Sequence, residues 1–125
     1  MNVLIVDDST IVRRVLKNVL NKYFDNPTLF EAENGQVAMQ VMKTEKVDLI
    51  LLDWNMPVMN GEEVVDAVRA NKEWNKTRII MATTEGGKEQ VLKLIKKGVN
   101  GYMVKPFQED SIFKTLDTVT ARMPK

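Results

Sequence analysis

The 125-residue chain contains no cysteine and no histidine. Without cysteine there is no disulfide framework, no thiol nucleophile and no iron–sulfur cluster. Without histidine there is no Ser-His-Asp triad, no imidazole base and no ordinary zinc site. Charge of one sign is also lacking: 18 Lys+Arg face 17 Asp+Glu, a net +1, which excludes the strongly basic footprint of a nucleic-acid binder. Aromatics are sparse at 6%. No long hydrophobic run exists. Met1 to Val6 is broken by Asp7 and Asp8, and Leu49 to Leu52 is far too short to span a bilayer. The expectation is a soluble, cytoplasmic protein without a membrane or nucleic-acid partner. Its chemistry must come from carboxylates, hydroxyls, lysines and backbone.

The length suits one domain over 1–125, with an ordinary 44% apolar content to fill one core. Short apolar runs alternate with helix-period segments. Val3 to Val6 reads as a buried strand, then Ile11, Val12, Val15, Leu16, Val19, Leu20 and Tyr23 recur at helical spacing. Asn26-Pro27 ends that helix. A weaker strand covers Thr28 to Glu33, and Val37, Ala38, Val41 and Met42 mark a second helix. Asp48 to Leu52 is the next strong strand, followed by turn residues at Met56-Pro57 and Asn60-Gly61 and a helix carrying Val64, Val65 and Val68. Arg78 to Ala82 is a strand. Gly86-Gly87 opens a helix carrying Val91, Leu92 and Ile95, which stops at Gly98. Gly101 to Val104 and a helix with Ile112, Leu116, Val119 and Met123 close the chain. Five strand–helix units predict an α/β domain, a doubly wound five-stranded parallel sheet with helices on both faces.

In such sheets the site forms beyond the carboxyl ends of the strands. Asp7 and Asp8 follow the first strand here, Asp53 the third, Thr83 the fourth and Lys105 the fifth. Taken singly, each has a bland reading as a turn residue or a solvated lysine. Jointly they place three carboxylates, a hydroxyl and an ammonium on one rim. Crowded carboxylates raise one another's pKa unless a cation intervenes. An all-oxygen ligand set favours a hard ion, Mg²⁺ best, which keeps waters for a phosphate to replace. A carboxylate beside Mg²⁺ can attack phosphorus to form an aspartyl-phosphate, with Lys105 and Thr83 serving the phosphoryl oxygens.

The segments Val6-Asp7-Asp8-Ser9, Asp53-Trp54-Asn55-Met56-Pro57, Thr83-Thr84-Glu85 and Val104-Lys105-Pro106-Phe107 resemble the signature of response-regulator receiver domains. The Asp53 to Pro57 stretch and Tyr102 are similar to the single-domain chemotaxis (CheY-like) group. This resemblance implies a flavodoxin-like strand order 2-1-3-4-5 and Asp53 as phospho-acceptor. It implies Mg²⁺ held by Asp8, Asp53 and the Asn55 backbone carbonyl, with Asp7 acting through water. Thr83 becomes a switch hydroxyl, Tyr102 an aromatic switch and Lys105 the phosphoryl partner, after a cis Lys105–Pro106 bond. Asn55 and Glu85 resemble positions that tune dephosphorylation. The implied partners are a histidine kinase and the flagellar motor switch protein, met by a monomer through its fourth-helix to fifth-helix face.

Nothing follows the fifth helix, so the output is expected through protein contact. A phosphorelay intermediate is the alternative output. A haloacid-dehalogenase-type phosphatase would want a second Asp where Asn55 stands, and a flavin module would want hydroxyls where Asp7 and Asp8 stand. Lys93, Lys96 and Lys97 share a helix face, read either as solvated or as a contact for an acidic segment. Gly86-Gly87-Lys88 lacks the spacing of a phosphate loop. Met39, Met42, Met81, Met103 and Met123 read as core filler, and Trp74 has no assigned role.

Overall fold

The computed structural model describes residues 1–84 and 88–121. Its elements are β1 (Asn2–Val6), α1 (Thr10–Tyr23), β2 (Thr28–Ala32), α2 (Gly35–Thr44), β3 (Leu49–Asp53), α3 (Gly61–Ala70), a short 3-10 helix (Lys72–Trp74), β4 (Arg78–Thr83), α4 (Lys88–Lys96), β5 (Gly101–Val104) and α5 (Glu109–Thr120). The strands form one parallel sheet in the order β2-β1-β3-β4-β5. The expected class and order are therefore both observed.

Alternation along each strand divides the core into two layers. Leu4, Val6, Ile50, Leu52, Ile79 and Met81 point to one face, where they meet Ala38 and Met42 of α2, the valines of α3 and Leu94 of α4. Val3, Ile5, Leu49, Leu51, Ile80 and Ala82 point to the other, against Leu16 and Leu20 of α1 and Ile112 and Leu116 of α5. Strand β3 is buried along its whole length because it is central and covered on both faces, whereas on edge strand β2 only Ala32 is buried.

Helix starts are specified locally. Ser9 accepts from the Val12 N–H, Asn34 from Val37 and Asn60 from Glu63, each satisfying an otherwise unpaired helix donor. Glu63 answers with its carboxylate on the Asn60 N–H, completing a capping box. Asn60-Gly61, expected as a turn, is thus the cap and first residue of α3. At the other end of α4, Gly98 takes φ +101°, the left-handed stop its residue type predicts.

The apolar stripes of two helices are wider than the arcs they bury. Leu92 and Ile95 of α4, expected inside, are 52% and 55% exposed, and Leu94 is the buried contact instead. Ile11 and Val15 of α1 are likewise exposed. Four apolar residues within five positions, Val91 to Ile95, cover more of the helix circumference than one sheet face can hide. Trp74, left without a role by sequence, packs against the first core layer from the 3-10 helix. Met42, Met81 and Met103 are buried and Met39 packs against the first layer, as expected. Met123 and the Gly86-Gly87 helix opening lie outside the described residues.

The loop between β3 and α3 stores strain. Val58 is 75% exposed yet sits at φ +69°, held by a tight turn in which the Met59 N–H donates to the Pro57 carbonyl at 2.7 Å. A β-branched residue disfavours that region. Val58→Gly is expected to raise stability by ~1 kcal/mol, relief of strain exceeding glycine's larger unfolded-state entropy. A lower urea midpoint for the variant would show that the valine side chain is held there by contacts instead.

Candidate functional site

The strand order reverses between β1 and β3, and the crevice beyond their carboxyl ends holds the predicted residues. Register brings them to one end of the sheet: Val6 pairs with Leu52, Asp53 with Ala82, and Thr83 with Val104. The ladder continues one residue further, with the Lys105 N–H donating to the Thr83 carbonyl at 2.8 Å and the Trp54 N–H to Ala82 at 3.1 Å. Asp7 and Asp53 are therefore level, Thr83 stands one residue higher and Lys105 one more, so that all four emerge at one rim from four adjacent strands.

Asp7, Asp8 and Asp53 each bring one carboxylate oxygen to within 4.8 Å of the other two. Asp7 and Asp53 are buried and Asp8 is exposed. Lys105 Nζ lies 2.9 Å from Asp7 Oδ2 and 3.1 Å from Asp53 Oδ1, bridging the two buried carboxylates. The other Asp7 oxygen accepts the Ser9 N–H at 2.9 Å. Burial pushes the Asp53 carboxyl up from its ordinary value, and the Asp7 carboxylate adds to this against the counter-pull of Lys105. For Lys105, burial works against the charge, but the Asp7 and Asp53 carboxylates outweigh it and hold its pKa above the usual range. The crevice is thus short of positive charge and rich in oxygen donors, a donor set that fits a small hard divalent cation.

Thr83 is buried at the end of β4. Tyr102, on β5, is half-buried against the first core layer, and burial raises its phenol pKa. Asn55 is exposed on the β3–α3 loop, and Glu85 lies outside the described residues. The Lys105–Pro106 bond is cis. Among the described residues no helix is long and apolar enough to cross a membrane.

Residues 3–117 match the family model of the response regulator receiver domain. The chain belongs to this family. It is 46% identical over 120 residues to a chemotaxis protein CheY homolog of Campylobacter jejuni, covering 95% of this chain and 92% of that one. It is 42% identical to the chemotaxis protein CheY1 of Helicobacter pylori, with coverages of 95% and 96%. Among solved structures, Vibrio cholerae chemotaxis regulator CheY4 superposes with a TM-score of 0.86 at 36% identity, covering 94% and 97% of the two chains. The signal receiver domain of a Vibrio parahaemolyticus LuxO repressor protein gives 0.87 at 30% identity, with coverages of 97% and 90%. The chain is accordingly a two-component response regulator, a signalling switch of a family that binds Mg²⁺ in an acidic pocket.

Three residues shape this receiver pocket without having been singled out for it. Ser9 caps α1 and also donates its own N–H to Asp7, a dual role that a Ser before a helix only half announces. Gly61 packs so closely that a Cβ there would lie 2.4 Å from the Asp53 carbonyl oxygen, which docks the start of α3 against the end of β3. Arg13 donates to the Asp7 carbonyl at 2.6 Å. The lysines of α4 are partly engaged: Lys93 and Lys97 both pair with Glu62 of α3, and Lys97 also with Asp66. Lys93 and Lys96 are exposed, so the solvated-face reading holds for both, with Lys93 and Lys97 joined by surface ion pairs to α3.

Proposed function

We propose that Asp53 accepts a phosphoryl group from a histidine kinase. One Asp53 oxygen attacks the phosphorus of phosphohistidine in line, the P–N bond breaks, and the electron pair leaves with the imidazole. Lys105, already 3.1 Å from Asp53 Oδ1, moves with the phosphoryl oxygens and offsets their charge, and the Thr83 hydroxyl donates to another. Asp8, Asp53 and the Asn55 backbone carbonyl would hold Mg²⁺ directly, with Asp7 behind a water because Lys105 and Ser9 already claim its carboxylate. When bound, this ion neutralises charge developing on the phosphoryl oxygens. The chain assists its own phosphorylation and dephosphorylation, and by resemblance Asn55 and Glu85 are the positions that tune loss of the phosphoryl group to water.

The observation that carries this reading is the buried Asp53 carboxylate bridged by Lys105 to Asp7, which is poised for an anion that takes the lysine with it. Phosphorylation biases the Thr83–Tyr102 pair and through it the face formed by α4, β5 and α5. Exposed Leu92, Ile95 and Val104 on that face support protein contact as the output. In view of the CheY-named relatives the target is the flagellar motor switch protein, reached in the cytoplasm by a monomeric regulator.

Intact mass after incubation with acetyl phosphate tests the chemistry. One added phosphoryl group is expected, dependent on Mg²⁺, or else Mg²⁺-dependent consumption of acetyl phosphate if the adduct is short-lived. Neither adduct nor consumption would reduce the chain to a receiver-shaped binding module. The output is tested by titrating phosphorylated protein against motor switch peptide and against a phosphotransfer domain. Preference for the latter would favour the phosphorelay.

A further inference from the structure

We infer that Arg13 of α1 is a positioning residue for the cation pocket, fixing the Asp7–Asp8 peptide so that the Asp8 carboxylate is aimed at Asp53. This rests on the Mg²⁺ reading above. Asp8 is the exposed member of the carboxylate trio, so no packing around its side chain directs it. Its direction depends on the backbone that precedes it. That backbone is pinned on every side: the Asp7 N–H donates to the Ala32 carbonyl at 3.1 Å, and the Asp7 carboxylate accepts from Ser9 and Lys105. The Asp7 carbonyl, which belongs to the same peptide as the Asp8 nitrogen, accepts from Arg13 Nη1 at 2.6 Å.

Arg13 is itself locked. Its side chain is only 14% exposed, Nε pairs with Glu31 Oε1 at 3.1 Å, and Nη2 reaches Thr10 Oγ1 at 3.3 Å. Lys17 takes the second Glu31 oxygen at 3.0 Å, which holds that carboxylate in place on β2. The planar fork of a guanidinium can join a backbone carbonyl to a carboxylate in one geometry, which a flexible ammonium does not. Supports of this kind, one bond removed from a metal ligand, tune affinity as strongly as some ligands do.

Charge and geometry predict opposite signs here, which makes the inference decidable. Arg13 is a cation near a cation site, so by Coulomb attraction and repulsion alone its removal should tighten Mg²⁺ binding. Positioning predicts weakening. The experiment is a Mg²⁺ titration of the full chain by calorimetry, checked against the fluorescence of Trp54 beside Asp53. Arg13→Met is expected to weaken Mg²⁺ affinity ~10-fold, and Arg13→Lys, which keeps the charge but loses the fork, ~3-fold. Unchanged or tighter binding in Arg13→Lys, with or without a loss of thermal stability, would leave Arg13 a structural residue only. The lysine variant also covers the case in which Arg13→Met fails to fold. A parent chain that binds no Mg²⁺ at millimolar concentration would remove the underlying reading, and this inference with it. A parent that binds while both variants match it overturns this inference alone.

Discussion

Asp53→Asn is expected to yield no phosphoryl adduct under conditions that label the parent chain, and to fold more stably than the parent at neutral pH. The first half follows from chemistry, since an amide oxygen is a poor nucleophile toward phosphorus, and the other buried carboxylate, Asp7, has its two oxygens engaged by Lys105 and the Ser9 N–H. The second half follows from linkage. Burial and the Asp7 charge raise the folded pKa of Asp53 above its ordinary 3.8. Between those two values the native state binds more protons than the unfolded chain, so stability falls as pH rises through the window. Above the window the ionised carboxylate is a standing cost of the fold. Asparagine keeps the shape and an acceptor for Lys105 while removing that charge, and relief of ~1 kcal/mol would lift Tm by roughly 4 °C in a domain of this size. The gain should shrink as pH falls through the window toward 3.8, because the parent then protonates and becomes neutral too. Stoichiometric labelling of Asp53→Asn would place the acceptor elsewhere. A lower Tm at pH 7 would mean that the Lys105 pairing outweighs burial.

How much of this was legible in the sequence depends on which kind of atom does the work. Strands announced themselves as β-branched runs, and the site as the residue that follows each run; Asp7, Asp53, Thr83 and Lys105 converge because parallel strands end at one rim. The Ser9 and Asn34 caps are side-chain signals and can be read from residue type. Arg13 cannot, because its acceptor is the Asp7 backbone carbonyl and its anchor Glu31 is 18 positions away on another strand. Backbone acceptors carry no residue code. Gly61 was readable only as turn chemistry, since its need for a missing Cβ arises from the approach of the Asp53 carbonyl, a tertiary fact. The α4 stripe misled for a related reason. Periodicity reports which residues could be buried, whereas how wide an arc the sheet covers is set by neighbouring elements. The leucine and isoleucine left outside lie on the face to which the family resemblance assigns output, where an apolar surplus is useful to a partner and costs the fold little.

Lys105→Met is expected to destabilise the chain by ~3 kcal/mol at pH 7, a large share of the 5–15 kcal/mol typical of a small domain. Lys105 is the cation that touches both buried carboxylates, at 2.9 Å from Asp7 and 3.1 Å from Asp53. Methionine preserves the apolar stem and deletes the charge, leaving two neighbouring carboxylates uncompensated in a low-dielectric crevice. The figure sits at the low end for a broken buried pair because exposed Asp8 shows that water reaches the rim. Two recoveries separate this electrostatic loss from a packing defect. Acidification should restore stability, since Lys105 is the influence that holds the Asp53 pKa down, and without it the folded value climbs further above 3.8. The native state then takes up a proton at higher pH, and the penalty fades as pH falls through that wider window. Millimolar Mg²⁺ should also stabilise the variant more than the parent, because the ion no longer competes with a resident ammonium, by RT ln(1 + [Mg²⁺]/Kd) with a smaller Kd. Urea denaturation at pH 7 and at a series of lower pH values down to about 4, each with and without Mg²⁺, reads all of this. A deficit that is the same across that pH range and indifferent to Mg²⁺ would mean that Lys105 supports the crevice by its stem rather than its charge.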